Sequence, residues 1–195
     1  MAALINIIHP HIYRCVPDDG IDYRVVDFLK KSSKYGAEVC AHFEIRDNLL
    51  GACMRKAALE MDMVLGEIFM DEKVKSFFTL GNGFPFPDEN PGTMDKESWD
   101  ELMKYSITHS GLREEISGHF PIIFLGGAFE RCVGNIAAYC ADKYGFNKGE
   151  IFCVDDLSVS INKEDVETMK GELKKRNINI VRYGDILEIL EHNNS

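Results

Sequence analysis

The sequence lacks the features that mark exported, membrane-spanning and polyanion-binding proteins. No apolar run approaches the roughly 18 to 20 residues that cross a bilayer, and no basic segment precedes the short apolar stretch at Ala3–Ile8. Acidic residues outnumber basic ones by 32 to 22, and the formal net charge of −10 opposes binding to nucleic acids or anionic membranes. We therefore expect a cytoplasmic protein with a small-molecule substrate and neither a nucleic-acid nor a membrane partner.

Paired cysteines and nucleotide-binding glycine motifs are also missing. The six cysteines form no C-x-x-C pair, and a chain of 195 residues that is 45% hydrophobic can bury a core without disulfides. Free thiols and a single domain spanning residues 1–195 are therefore expected. The glycines at 81, 83, 126 and 127 match neither G-x-G-x-x-G nor the P-loop pattern, so no dinucleotide or P-loop site is indicated.

Short apolar runs alternate with helical patterns along the chain. The runs near residues 3–8, 38–45, 121–125, 151–154 and 178–181 predict strands, and helical spacing predicts helices near 21–34, 48–78, 97–117, 132–144, 163–176 and 183–191. Three glycines and three prolines between residues 80 and 95 predict a long loop, which Phe84 and Phe86 favour as ordered. The alternation predicts an α/β fold, a three-layer α/β/α sandwich with a mostly parallel sheet.

The segment that follows the run at 121–125 carries the clearest chemical signal. In an open α/β sheet, ligands bind at the carboxyl ends of the strands. Here Gly126-Gly127 allows close backbone approach, and Cys132 follows at the predicted start of a helix. Helix N-terminal N–H groups favour a thiolate and can hold an oxyanion. Cys132 is therefore the candidate nucleophile, and the alternative is the commoner role of a cysteine as a small buried apolar side chain.

The stretch FLGGAFERCVGNIAAYCADKYG…IFCVDDLSVS resembles the core of the isochorismatase-like cysteine hydrolases, the family that includes nicotinamidases. In that family a strand runs into a glycine-containing loop with a non-proline cis peptide, and a Cys-Val pair opens the next helix. The resemblance implies an isochorismatase-like (Rossmann-like) fold with Cys132 as nucleophile. It also implies that the bond from Gly127 to Ala128 is cis, and that Gly127, Ala128 and Phe129 form the oxyanion and substrate loop.

Two positions depart from the family pattern. The family's catalytic Asp after the first strand aligns with His9, which could still accept a thiol proton because histidine titrates near pH 6.5. The family's Lys best matches Lys104 in MKYSITHSGL, and Lys73 and Lys75 are the competing choices. The resemblance thus implies a catalytic set of Cys132, His9 and Lys104.

A metal is the less favoured alternative to a protein without cofactors. Some nicotinamidases hold a metal after the second strand, where this chain offers His42 and Glu44 on one strand face. These nitrogen and oxygen ligands suit zinc or iron, but their spacing departs from the family's, and Arg46 would repel a cation. No cofactor is therefore expected.

The sequence supports two hypotheses about function. In the first, the protein is a cysteine hydrolase of a small amide or related carbonyl compound that works through a thioester intermediate. In the second, the departure at His9 marks a catalytically inactive protein of the same fold that serves as a binding or assembly subunit. Because members of this family commonly form oligomers, the resemblance implies a homo-oligomer under both hypotheses.

Overall fold

The computed structural model describes residues 1–15, 21–44, 74–146 and 149–193. Within these ranges, six β-strands and six α-helices largely alternate along the chain. In chain order they are β1 (Leu4–Ile8), α1 (Ile21–Ser32), β2 (Glu38–Glu44), β3 (Val74–Thr79), α2 (Lys96–Met103), α3 (His109–Ile116), β4 (Ile122–Gly127), α4 (Gly134–Tyr144), β5 (Ile151–Val159), α5 (Lys163–Lys175), β6 (Asn179–Val181) and α6 (Tyr183–Asn193). Among the described residues, no helix is long and apolar enough to cross a membrane.

The strands form one parallel sheet in the order β3-β2-β1-β4-β5-β6. Helices pack on both of its faces, which confirms the predicted α/β/α sandwich. On one face, Ile5 and Ile7 pack with apolar side chains of α1, α2 and α6. On the other face, Leu4 and Ile8 pack with those of α3, α4 and α5. Because side chains alternate along a strand, β1 contributes to both cores.

Two strands differ from the sequence expectation. Residues Val74–Thr79 form the edge strand β3, and the prediction that the helical pattern continued to residue 78 is wrong there. Alternation and the β-branched and aromatic residues of VKSFFT explain the strand. The remainder of that predicted helix, residues 48–73, lies outside the described residues. Strand β5 continues past residue 154 to Val159, because a bulge lets Gly126 pair with Ser158 after Phe124 has paired with Cys153.

The segment between β3 and α2 is ordered by its aromatic residues, as the two phenylalanines predicted. Phe84 packs edge-on against Tyr139 of α4, and Phe86 packs edge-on against Trp99 of α2. The backbone of Phe86 also bonds to Ile107 and His109. The segment therefore connects the two helical layers at the β3 edge of the sheet.

Candidate active site

Two glycines at the end of β4 allow close contact with the backbone of β1 and with the side chain of Ile12. Gly126 has a φ of 120°, and a Cβ on it would lie 2.0 Å from the carbonyl oxygen of Ile8. A Cβ on Gly127 would lie 2.1 Å from Ile12. Only glycine fits such approaches. The peptide bond from Gly127 to Ala128 is cis, which confirms the prediction.

The candidate nucleophile lies directly after this bond. Residues Phe129–Val133 form a π-helical turn. The carbonyl of Ala128, just before this turn, accepts hydrogen bonds from the N–H groups of Arg131 and Val133. This turn leads into α4, so Cys132 lies in the turn, two residues before the α-helix begins at Gly134. Its thiol is free and partly exposed, whereas Cys40, Cys140 and Cys153 are buried.

The surroundings of Cys132 raise the pKa of its thiol above the usual range. Burial is the main cause, and the negative charge of Glu44 adds to it. Backbone hydrogen bonds from Ala128 and from Cys132 itself lower the pKa, as does the charge of Arg131, but they do not outweigh burial. The sequence predicts that a helix N-terminus favours the thiolate of Cys132, but the pKa of this thiol is raised overall. Burial of the sulfur raises the pKa by more than the backbone hydrogen bonds lower it.

A glycine turn connects Glu44 to the cysteine. Glu44 ends β2, and its Oε1 would lie 3.4 Å from a Cβ on Gly81. Two residues later, a Cβ on Gly83 would lie 3.4 Å from the carbonyl oxygen of Cys132. The turn at Gly81–Gly83 therefore has a carboxylate beside one end and the cysteine backbone beside the other.

His9 is buried at the end of β1, with only 3% of its surface exposed. Its Nε2 lies 3.4 Å from Oγ1 of Thr79, which is the last residue of β3 and is also buried. Its backbone N–H donates to the carbonyl of His42 at 2.8 Å. The ring is therefore at the same edge of the sheet as the end of β4, where the cysteine turn begins.

Two of the candidate catalytic lysines, Lys104 and Lys75, form ion pairs with glutamate side chains. Lys104, just after α2, is largely exposed and forms an ion pair with Glu101 of the same helix. That pairing raises the pKa of its ammonium group. Lys75 pairs with Glu115 at 2.6 Å, and Lys73 lies outside the described residues. A catalytic role for Lys104 stays a prediction, and it would require the side chain to leave Glu101.

Solved structures share this architecture, whereas comparisons of sequence alone find nothing. No family model matches the chain, and no curated protein matches it. A pyrazinamidase of Pyrococcus horikoshii, in complex with zinc, superposes with a TM-score of 0.61 at 19% identity, over 93% of this chain and 99% of that one. The nicotinamidase of Staphylococcus aureus gives 0.59 at 12% identity, over 92% and 99%. The YcaC gene product of Escherichia coli, an octameric hydrolase of unknown specificity, gives 0.56 at 15% identity, over 95% and 77%.

The chain has the isochorismatase-like fold. Its sequence identities of 12 to 19% to these structures mark it as a divergent example of that fold. The resemblance in the segment around Cys132 and the cis bond after Gly127 agree with this fold.

The loop predicted to bind substrate divides into two parts. A backbone hydrogen bond from Ala128 lowers the pKa of the Cys132 thiol, and the role of Gly127 and Ala128 in an oxyanion loop stays a prediction. The side chain of Phe129 is fully buried in the core beneath α4 and α5, where the ammonium of Lys170 lies 5.9 Å from its ring. Any contact of Phe129 with a substrate would therefore be through its backbone.

The described residues do not fit a metal. Nε2 of His42 is hydrogen-bonded to Oδ1 of Asn6 at 3.0 Å, and burial lowers the pKa of this histidine to about 4. Within the described ranges, no group of three His, Cys, Asp or Glu side chains could hold a metal ion. No step below uses one, and the expectation of a protein without cofactors stays a prediction.

Sequence reasoning missed Thr79 and gave Glu44 a different role. Thr79 was not considered because its strand was assigned to a helix, although the alternation in VKSFFT carried the signal. Glu44 was weighed only as a metal ligand, because a sequence does not reveal that the end of β2 and the cysteine turn flank the same glycines. Asp156, within β5, accepts the N–H of Tyr183 at 2.7 Å and so caps the start of α6.

Proposed function

We propose that this protein hydrolyses small amides or related carbonyl compounds, with Cys132 as the nucleophile. The observation that carries the proposal is the place of Cys132: its partly exposed thiol follows the cis bond at the end of β4, and backbone hydrogen bonds from Ala128 and Cys132 lower its pKa. An adduct on that sulfur would develop its negative oxygen close to the same donors, which is the requirement for an oxyanion hole. The pyrazinamidase and nicotinamidase among the similar structures support amides as the substrate class.

The proposed reaction uses His9 as the proton acceptor. As the Cys132 sulfur attacks the carbonyl carbon, its proton moves to the imidazole and the carbonyl electrons move to oxygen. Collapse of this adduct breaks the C–N bond, the amine leaves with the proton from His9, and a thioester remains. Water then attacks the thioester carbon as His9 accepts its proton, the C–S bond breaks to release the acid, and the proton on His9 returns to the Cys132 sulfur. Because the pKa of the thiol is raised, the scheme requires a base to take its proton as it attacks.

Ammonia release from a panel of small primary amides, including pyrazinamide and nicotinamide, tests the proposal. The wild type should turn over at least one amide, and Cys132→Ala should abolish turnover while leaving the fold intact by circular dichroism. Mass spectrometry of the quenched wild type should detect an acyl group on the peptide that contains Cys132. Lys104→Gln in the same assay tests the predicted role of that lysine.

The alternative is an inactive protein of this fold that binds other molecules. The raised pKa of the Cys132 thiol and the pairing of Lys104 with Glu101 favour it, because neither group is activated in the described structure. No turnover across the panel, together with no acylated Cys132, would support this alternative.

We also propose that the chain forms a homo-oligomer. The octameric YcaC protein supports this by its similar fold. Sedimentation velocity at micromolar concentration should then give a mass at least twice 22.1 kDa. A species of monomer mass across the whole concentration range would contradict it.

A further inference from the structure

Glu44 lies on the same side of the sheet as the candidate nucleophile. It ends β2 at the carboxyl edge, and because side chains alternate along a strand, it shares a face with Cys40. Cys40 belongs to the apolar core on the α4 face, and Cys132 packs against that core. Glu44 and Cys132 therefore share one face and one edge of the sheet, on either side of the Gly81–Gly83 turn.

The carboxylate of Glu44 has no counter-charge within the part of the chain that the structure describes. It forms neither an ion pair nor a hydrogen bond there. Glu38, at the other end of the same strand, contrasts with it, because Glu38 pairs with Lys75 and His119. The side chain of Glu44 is only partly exposed, so solvent ions screen its charge incompletely. Its negative charge therefore acts on its surroundings without a neutralising partner.

That charge reaches the sulfur of Cys132. Burial is the main cause that raises the pKa of this thiol, and the charge of Glu44 raises it further. The positive charge of Arg131 acts in the opposite direction and has the smaller effect. Of these two charges, the negative one thus has the larger effect at the sulfur. A substrate at the sulfur experiences the same field, which favours a positive group on it and disfavours a negative one.

We propose that Glu44 is a specificity-determining residue that makes the site prefer cationic substrates over carboxylates. This inference rests on the proposed function and narrows its substrate class to small amides that carry an ammonium or similar cationic group. The amide carbonyl lies at Cys132, and the negative charge of Glu44 stabilises the positive group. The formal net charge of −10 acts in the same direction over longer distances.

Charged thiol reagents measure this preference without any turnover. Methanethiosulfonates are used that carry a trimethylammonium, a hydroxyl or a sulfonate group on an ethyl chain. In each case the Cys132 thiolate attacks the divalent sulfur of the reagent, a mixed disulfide forms and methanesulfinate leaves. Because the same thiolate attacks every reagent, the ratio of two rates does not depend on the ionised fraction of the thiol. Mass spectrometry of the peptide that contains Cys132 gives the rates.

The ratio of the cationic to the anionic rate is the quantity compared. In the wild type it should exceed the ratio for 2-mercaptoethanol by about tenfold, the scale expected for one charge at a partly exposed site. Glu44→Gln should remove most of this excess, whereas Glu44→Asp keeps the charge and should retain it. Arg131→Gln should increase the ratio. Glu97→Gln, on the exposed surface of α2, is the matched control and should leave it unchanged.

Turnover gives a second, separate readout. β-Alaninamide, butanamide and succinamate are amides of the same chain length that end in an ammonium, a methyl and a carboxylate group. The wild type should have its highest kcat/KM with β-alaninamide and its lowest with succinamate, and Glu44→Gln should reduce this difference. A wild type that turns over no amide would overturn the proposed function, while the thiol reagents still decide the charge preference.

A wild-type ratio equal to that of 2-mercaptoethanol would overturn the inference, and this measurement does not require any variant to fold. A folded Glu44→Gln protein that keeps the wild-type ratio would overturn it as well.

Discussion

The side chain of Ile12 lies directly against the Cα atom of Gly127, so that a Cβ on that glycine would lie 2.1 Å from Cγ2 of Ile12. The contact joins the turn after β1 to the residue that precedes the cis bond. Any side chain at position 127 must displace Ile12 or the strand end. The Gly-Gly pair is therefore required by packing as well as by the candidate chemistry.

Gly127→Ala should lower the free energy of unfolding by about 2 to 3 kcal/mol, because overpacking forces neighbouring atoms to move. Ile12→Ala in the same chain should recover part of that loss, and the interaction energy is obtained from a double-mutant cycle in urea. Gly171→Ala is the control, since Gly171 lies in α5 with no atom within 4 Å of its Cβ position. It should stabilise the protein by up to about 1 kcal/mol. Equal effects at the two glycines would contradict the packing argument.

Cys132 should be alkylated by iodoacetamide before the buried thiols of Cys40, Cys140 and Cys153. Its rate should titrate with a pKa above the usual thiol value of about 8.5, because burial raises the pKa of this group. The measurement is peptide mass spectrometry over time at several pH values. A rate that has already reached its plateau at pH 7 would show that the thiolate is stabilised by a group other than those described here.

Charge substitutions beside Cys132 should shift the same titration in opposite directions. Glu44→Gln removes a negative charge that disfavours the thiolate, so it should lower the pKa of Cys132. Arg131→Gln removes a positive charge that favours the thiolate, so it should raise that pKa. The surface substitution Glu97→Gln in α2 is the control and should leave the titration in place. Shifts of the same sign for both variants would contradict the electrostatic account.

His42 should make the protein less stable in acid. Its pKa is lowered to about 4 in the folded chain, against about 6.5 when unfolded, because the ring is buried. As pH falls, the unfolded state therefore binds the proton first, and stability that is complete above pH 6.5 is lost towards pH 4. The loss is about 3 kcal/mol, an order-of-magnitude figure. Urea unfolding at pH 7.5, 6 and 5 measures it.

His42→Gln should flatten this acid loss, because glutamine can still donate to Asn6 but does not titrate. His192→Gln, on the exposed face of α6, should leave the loss unchanged. An acid loss of the same size in His42→Gln would assign the effect to other groups.

Local sequence patterns determined most of the fold. The apolar runs near residues 3–8 and 121–125 are strands because apolar side chains on both faces require burial on both sides, which a central parallel strand provides. The cis bond after Gly127 was predicted from the resemblance of the segment around Cys132 to a known family, because the residues that carry this resemblance lie close together in the sequence. Strand β3 was missed because its short alternating run follows a segment with a helical pattern.

The sequence by itself determined the fold class and the candidate nucleophile, whereas the surroundings of that nucleophile were decided by tertiary structure. Thr79 is 70 residues from His9 in the chain, and only the order of β1, β2 and β3 brings their side chains together. The direction of the Cys132 pKa likewise depends on how deeply the sulfur is buried and on the distance to Glu44. Burial and charge separation are properties of three-dimensional packing, so a helix N-terminus recognised in the sequence could not predict the net effect on the thiol.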